Sequence, residues 1–350
     1  LEWLFLERFE HGGDIYSHKN ISLDYSVNLN PFGMPPEVKN AIISHIDEFA
    51  SYPDTQCRTL RGAIAEKEGV LRENVLCGNG AADLIYRLCL SYKPKCVLTI
   101  APSFSEYERA ARVCESQVVY HKLDENEGFF LTERVLSAIT RDIKMFFLCN
   151  PNNPTGKLIN MSLLNKIAQR CVETGTLLVL DECFLPFTDS ESLLSLIKEI
   201  PNLVILKAFT KIYAMAGLRL GYLLSGNQEV IRAAEKNAPC WSVSSVAQTA
   251  GIAALQCEGW EEKTRQILTQ ERAYLSDALK KFGLTVYESD CNFLLVKSDR
   301  SLYEPLSKKG ILIRRCENFV GLDAQFYRLG VKLHPQNEVL IRTLMEVLYG

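Results

Sequence analysis

The chain has no Cys-x-x-Cys pair, no histidines and cysteines clustered at zinc spacing, and no apolar run near the ~20 residues of a membrane helix. A structural zinc site and a membrane-spanning helix are therefore not expected, and no metal is assigned to the chain. A block of like charge is missing as well. The 39 Lys plus Arg against 42 Asp plus Glu leave a net charge of −3, which favours neither nucleic acid nor an anionic membrane as partner. No internal repeat or low-complexity tract is visible, which excludes a solenoid. Gly78-x-Gly80 lacks the third glycine of a dinucleotide turn, since Asp83 stands in its place. What remains is chemistry on a small molecule.

The 12 cysteines are scattered, and Cys89, Cys149 and Cys171 sit in apolar runs. They read as buried free thiols of a reducing compartment. The stretch from Leu1 to Arg8 carries acids and has neither a basic region nor a small-residue cleavage site, so no signal peptide is expected and a cytoplasmic protein is.

Through the middle of the chain, short apolar runs alternate with amphipathic segments. Residues 96–101, 117–120, 145–149, 177–180, 203–208 and 221–224 read as strands, and 82–92, 107–115, 162–174 and 192–199 as helices. The alternation predicts an α/β fold whose mostly parallel sheet has helices on both faces, with ligands at the carboxyl ends of the strands. Beyond Gly226 the pattern changes to long helices, 243–257 and 261–282, then short strands within 284–331 and a last helix over 337–348. The organisation expected is a turn-rich amino-terminal segment over the active site (1–39), a large cofactor-binding domain (40–261) and a smaller α+β domain (262–350).

Four elements carry chemistry. Lys211 lies just past the run Leu203 to Leu206, after Thr210, and is followed by Gly217-Leu218-Arg219-Leu220-Gly221. In that setting it is a covalent anchor for a carbonyl cofactor. The turn Cys77 to Asp83 opens a helix and can aim the N–H groups of Gly80, Ala81 and Ala82 at a phosphate; alone, it reads equally well as a tight turn. Asn150-Pro151-Asn152-Asn153-Pro154-Thr155-Gly156 closes a strand with exposed amides. Asp181 ends the apolar run Leu177 to Leu180, where a carboxylate is costly unless paired; a protonated ring nitrogen or the cap of a following helix would pair it.

Together these segments resemble the pyridoxal 5'-phosphate (PLP) enzymes of fold type I, the class I/II aminotransferase family, over nearly the whole chain. The resemblance implies PLP bound covalently to Lys211, with Asp181 at the pyridine nitrogen and Asn153 at the phenolic oxygen. It also implies Phe104 stacked on the ring, Thr210 and Arg219 with the Gly80 turn on the phosphate, and Arg328 on the substrate carboxylate. Tyr52, in Tyr52-Pro53-Asp54, matches a tyrosine that reaches the cofactor phosphate of a neighbouring subunit, which implies a homodimer with shared active sites.

Within the family the chain is similar to the branch of histidinol-phosphate aminotransferases and L-threonine-O-3-phosphate decarboxylases. His11-Gly12-Gly13-Asp14, the stretch Asp24 to Pro31, and Thr210-Lys211-Ile212-Tyr213-Ala214 resemble the decarboxylases. Phe184 stands where histidinol-phosphate aminotransferases have a tyrosine, and Ala208 replaces a hydroxylated phosphate ligand. Substrate selection is expected from Arg328 and from the amino-terminal segment, with His11 and Asn30. Arg314 and Arg315 fit either a substrate phosphate or a solvated strand end.

Overall fold

The computed structural model describes residues 11–350; the expectation about the stretch Leu1 to Arg8 lies outside them. Thirteen strands are present among the described residues: β1 Leu23–Asp24, β2 Val75–Gly78, β3 Cys96–Ala101, β4 Gln117–Lys122, β5 Met145–Cys149, β6 Leu177–Asp181, β7 Leu203–Ala208, β8 Gly221–Leu224, β9 Thr285–Val286, β10 Phe293–Lys297, β11 Ile311–Leu312, β12 Arg314–Arg315 and β13 Phe326–Gly330. Seven of them form one sheet in the order β2-β8-β7-β6-β5-β3-β4. It is parallel except for β8, which runs antiparallel to both of its neighbours. Every residue of β5 and β6 is buried. Strands covered on both faces read as continuous apolar runs, which is why Met145 to Cys149 and Leu177 to Leu180 stand out in the sequence.

The helices that join these strands carry their own start and stop signals. Met161–Thr174, between β5 and β6, is capped by the Asn160 side chain accepting from the Leu163 N–H and ends at Gly175 with φ +72°. Trp260–Lys281 has Glu261 and Glu262 in its first turn and Lys280 and Lys281 in its last, the charge order that the helix dipole favours.

A second, four-stranded antiparallel sheet has the order β12-β13-β10-β9. The 311–314 run divides between two sheets: β11 pairs in parallel with β1 in a separate two-stranded sheet, whereas β12 pairs with β13 in this one. The amino-terminal segment thus adds to the edge of this region, with the Gly330 N–H donating to Tyr25 O at 2.9 Å. A Cβ on Gly330 would stand 2.3 Å from Val27 O, so glycine there lets the segment lie flat and carry Ser26 to Asn28 toward the large sheet.

The 192–199 helix is not formed. A single 3-10 turn, Leu193–Leu196, takes its place: the Glu182 carboxylate accepts from the Leu193 N–H (3.1 Å) and the Ser192 hydroxyl (2.6 Å) and ties the start of the segment to the sheet, and Pro201 holds the residue before it out of the α region at the other end. Helices that the sequence pattern does not predict are present as well, the longest of them Pro36–Ser44, Arg58–Glu68 and Gln228–Lys236. Among the described residues no helix is long and apolar enough to cross a membrane.

Candidate active site

A cleft of about 460 Å³ opens at the carboxyl ends of β5, β6 and β7 and is closed on its other side by β12 and β13. Its lining includes Lys211, Asp181, Asn153, Phe104, Ala81, Ala82, Thr210, Arg219, Arg328, Arg314 and His11. The chain thus brings residues from position 11 to position 328 into one recess.

Lys211 sits in the single helical turn Phe209–Ile212 that follows β7. Its Nζ lies 5.8 Å from the centre of the Phe184 ring. Burial, and then the Arg328 and Arg219 guanidinium groups, bring its amine down to about 8 against the partial opposition of Cys183 and Asp181. An amine so placed has a substantial neutral, nucleophilic fraction near neutral pH.

Asp181 is held by two donors. Its Oδ2 accepts from the Tyr107 hydroxyl at 2.6 Å and its Oδ1 from the Cys183 N–H at 3.0 Å. The three asparagines of the β5 loop have separate uses. Asn150 Oδ1 accepts from the Ile159 N–H, and Asn152 ties the loop to Pro102 O, Thr155 and Ser103. Asn153 alone of the three faces the cleft, its Oδ1 accepting from Arg328 Nη1 at 2.5 Å.

Gly80 begins the helix Gly80–Tyr92 with φ +81°, and a Cβ there would lie 2.6 Å from Arg219 Nη2. Gly221 has the same role one strand over: its Cβ would meet Ala81 N at 2.6 Å. Both glycines let the arginine close on the first turn of the helix, making a cradle of N–H groups and a guanidinium that suits a phosphate. Arg219 itself adopts φ +58°, a backbone cost consistent with a position set by ligand binding.

On the far wall, Arg314 and Arg328 are directly opposite one another across β12 and β13, and both are 5% exposed. Arg328 Nη2 donates to Ser26 O at 2.7 Å, while its Nε, like Asn28 Nδ2, is buried with no hydrogen-bond partner among the described residues. Burial lowers Arg328 to about 10, which leaves it a cation at neutral pH. Arg314 Nη2 donates to Asn318 Oδ1 at 2.7 Å. At the rim, His11 Nε2 lies 2.8 Å from Glu106 Oε1 and its ring is 5.9 Å from that of Phe104.

Two expected residues lie elsewhere. Asn30 does not line the cleft: its Nδ2 donates to Ile212 O and Thr264 Oγ1, both at 2.8 Å, and its Oδ1 accepts from the Phe32 N–H. It braces the segment after Lys211. The Asn-Pro dipeptide is the signal, because an asparagine there satisfies its own turn. Asn28, two residues earlier, is the one in the cleft. Tyr52 is 81% exposed, stacked on Trp241 at 4.7 Å, outside the cleft of its own chain. Glu106, Arg109, Phe319 and Cys183 line the cleft without having been singled out in the sequence; nothing in their local pattern marks them.

A buried lysine, an aspartate held by two donors, an asparagine facing the same cleft and a glycine-lined helix start beside Arg219 are what an α/β enzyme with a phosphorylated carbonyl cofactor needs. The set fits PLP: each polar part of that molecule has a partner here, and the Gly80 cradle is room that any side chain would fill. The chain belongs to the family of class I and II aminotransferases, whose model matches residues 20–344. It is 37% identical to threonine-phosphate decarboxylase of Salmonella typhimurium, covering 97% of each chain. It is 36% identical to histidinol-phosphate aminotransferase of Desulfitobacterium hafniense, covering 92% of this chain and 90% of the other. The structure is similar to that of histidinol-phosphate aminotransferase from Clostridium acetobutylicum, with a TM-score of 0.87 and 32% identity over 93% of this chain and 98% of that one.

Proposed function

We propose that this chain is a PLP-dependent decarboxylase of a phosphorylated amino acid, with L-threonine O-3-phosphate as substrate. The observation that carries this reading is the in-register pair Arg314 and Arg328, two buried guanidinium groups on one wall of the cleft. A substrate bearing both a carboxylate and a phosphate offers two anions for two such groups, and each guanidinium can grip either bidentately.

When bound, PLP supplies a conjugated cation that accepts the electron pair of the broken bond. The protein's residues do the rest. Lys211 Nζ, neutral in part because of its burial, anchors the cofactor and then delivers a proton. Asp181, held by Tyr107 and Cys183, presents negative charge to the ring nitrogen. Arg328 and Arg314 hold the substrate so that its Cα–carboxylate bond, and not its Cα–H bond, lies where it can break. The net change would be loss of CO2 from Cα and its replacement there by a proton, which Lys211 Nζ would carry, giving an amino-alkyl phosphate. Phe184, 5% exposed and packed edge-on against Phe293 at 5.2 Å, offers no hydroxyl beside Lys211, so Asn153 would be the residue that meets the cofactor's phenolic oxygen.

Tyr52 supports a homodimer with shared sites, because an aromatic pair with Trp241 on the outer surface is placed to reach a second copy and not its own cleft. Sedimentation at micromolar concentration tests this; a monomer refutes it.

Incubation with L-threonine O-3-phosphate is expected to release CO2, while histidinol phosphate with 2-oxoglutarate yields no glutamate. Glutamate without CO2 would replace this reading with an aminotransferase, the second reading, which the likeness to the Clostridium structure favours.

A further inference from the structure

Tyr107 is fully buried yet keeps a polar end, and that end points at the cleft acid. It belongs to the helix Glu106–Val113, which begins just after β3. Its ring lies flat against Phe147 of β5, 5.1 Å between centres at an interplanar angle of 4°. It meets Phe104 edge to face at 5.6 Å and 85°. Its hydroxyl donates to Asp181 Oδ2 at 2.6 Å. Two rings therefore fix the phenol in place, and its hydroxyl reaches Asp181 with the Cys149 thiol beside it.

We propose that Tyr107 is a positioning residue that sets the rotation of the Asp181 carboxylate, so that the acid meets the ring nitrogen of the cofactor without rearrangement. The inference rests on the PLP reading of the site. A carboxylate at a strand end can rotate about its own bond, and a single backbone donor from Cys183 leaves that rotation open. A second donor on the other oxygen closes it. Burial raises the Tyr107 hydroxyl well above its ordinary value, so it stays protonated and remains a donor at every pH at which the protein works. Phe104 and Tyr107, three residues apart, thus act on two parts of one ligand. The first lines the cleft with its ring, and the second orients the acid through its hydroxyl.

The test compares two ligands on two proteins. Affinity for PLP, and for the carbocyclic analogue in which C–H replaces the ring nitrogen, is measured with wild type and Tyr107→Phe, which keeps both ring contacts. The variant is expected to bind PLP about tenfold more weakly, the scale of a lost hydrogen bond to a charged group, and the analogue as well as wild type does. Equal loss for both ligands would make Tyr107 a packing residue, and no loss for either would make it a bystander; each overturns the proposal. Wild type that fails to take up PLP removes the cofactor reading itself, and this proposal with it.

Discussion

Two lysines four residues apart show how one strand end makes both a strut and a reagent. Lys207, in β7, pairs with Glu68 at 2.6 Å, and the same carboxylate accepts from the Tyr222 hydroxyl at 2.6 Å. Lys211, just past the strand, has no carboxylate within ion-pair distance among the described residues and has Arg328 and Arg219 as its cationic neighbours. The neighbouring acids divide the same way. Glu182 turns to Ser192 and Leu193 behind the sheet, whereas Asp181 faces the cleft. Charges that are matched on all sides hold structure, and charges left with an open side do chemistry. Neighbouring positions in sequence can therefore have opposite duties.

The strongest way to break this comparison is to remove each lysine in turn. Lys211→Ala is expected to lower turnover by more than about 10³-fold with little change in melting temperature, since it deletes both anchor and proton carrier. Borohydride reduction of the wild-type complex should tag the peptide containing Lys211 and no other. Lys207→Met should keep the tag and lose stability by about 2–3 kcal/mol, because Glu68 would be left partly buried without its cation. A tag on Lys207, or a stability loss confined to Lys211→Ala, inverts the assignment.

The arginine pair sharpens the picture at the next level. Arg328→Lys is expected to reduce kcat/KM about 10²-fold by removing a planar two-pronged donor. Arg314→Gln should raise KM for a phosphorylated substrate about tenfold and leave a substrate lacking phosphate nearly unaffected. Equal effects on both substrates would return Arg314 to a structural role.

The pH dependence of cofactor capture is a smaller effect with a definite sign. The Lys211 amine is held near 8, below its ordinary value, first by burial and then by the Arg328 guanidinium. It is charged below that pH and neutral above it, so the rate at which apo-protein takes up PLP should rise about tenfold between about pH 7 and pH 9. Linkage runs the same way. The unfolded chain holds this proton up to the ordinary lysine value, so the contribution of Lys211 to stability improves as pH rises from about 8 toward that value. A capture rate that is flat over this window would show that another amine is the nucleophile.

The legibility of the site in the sequence follows the same division. Strand ends are readable because β5, β6 and β7 are buried along nearly their whole length, so the end of each apolar run marks an end of the sheet. Asp181 is legible in that way, whereas Lys211 and Asn153 are legible only through the motifs around them, since the first polar residues met at the ends of β7 and β5 are Lys207 and Asn150. Residues that act across the fold are legible in neither way. Tyr107 looks like any core aromatic until its hydroxyl is seen on Asp181, and Asn28 could not be separated from Asn30 without knowing that Asn30 is bonded to Ile212 and Thr264. The helices Pro36–Ser44 and Arg58–Glu68 escape the pattern for a related reason: the first buries only Val38 and the second only Leu60, Ile64 and Ala65, too few for a clear apolar stripe. The 192–199 segment differs in the other direction: the buried Glu182 ties its start to the sheet, and only one 3-10 turn forms ahead of Pro201.

That acid also gives the mildest test of the comparison. Burial pushes Glu182 up to about 7, against the pull of Lys207 and its two donors. A raised acid binds its proton more tightly in the folded chain than in the unfolded one, so its contribution falls as pH rises from the ordinary carboxyl range to about 7. Glu182→Gln keeps the shape and can still accept from the Leu193 N–H, so at pH 7 its stability should lie within about 1 kcal/mol of wild type. Its melting temperature should decline less than that of wild type between about pH 5 and pH 7, with cofactor affinity unchanged. If the substitution instead weakens PLP binding, Glu182 acts on the cleft through Asp181, and the two faces of this strand end are not independent.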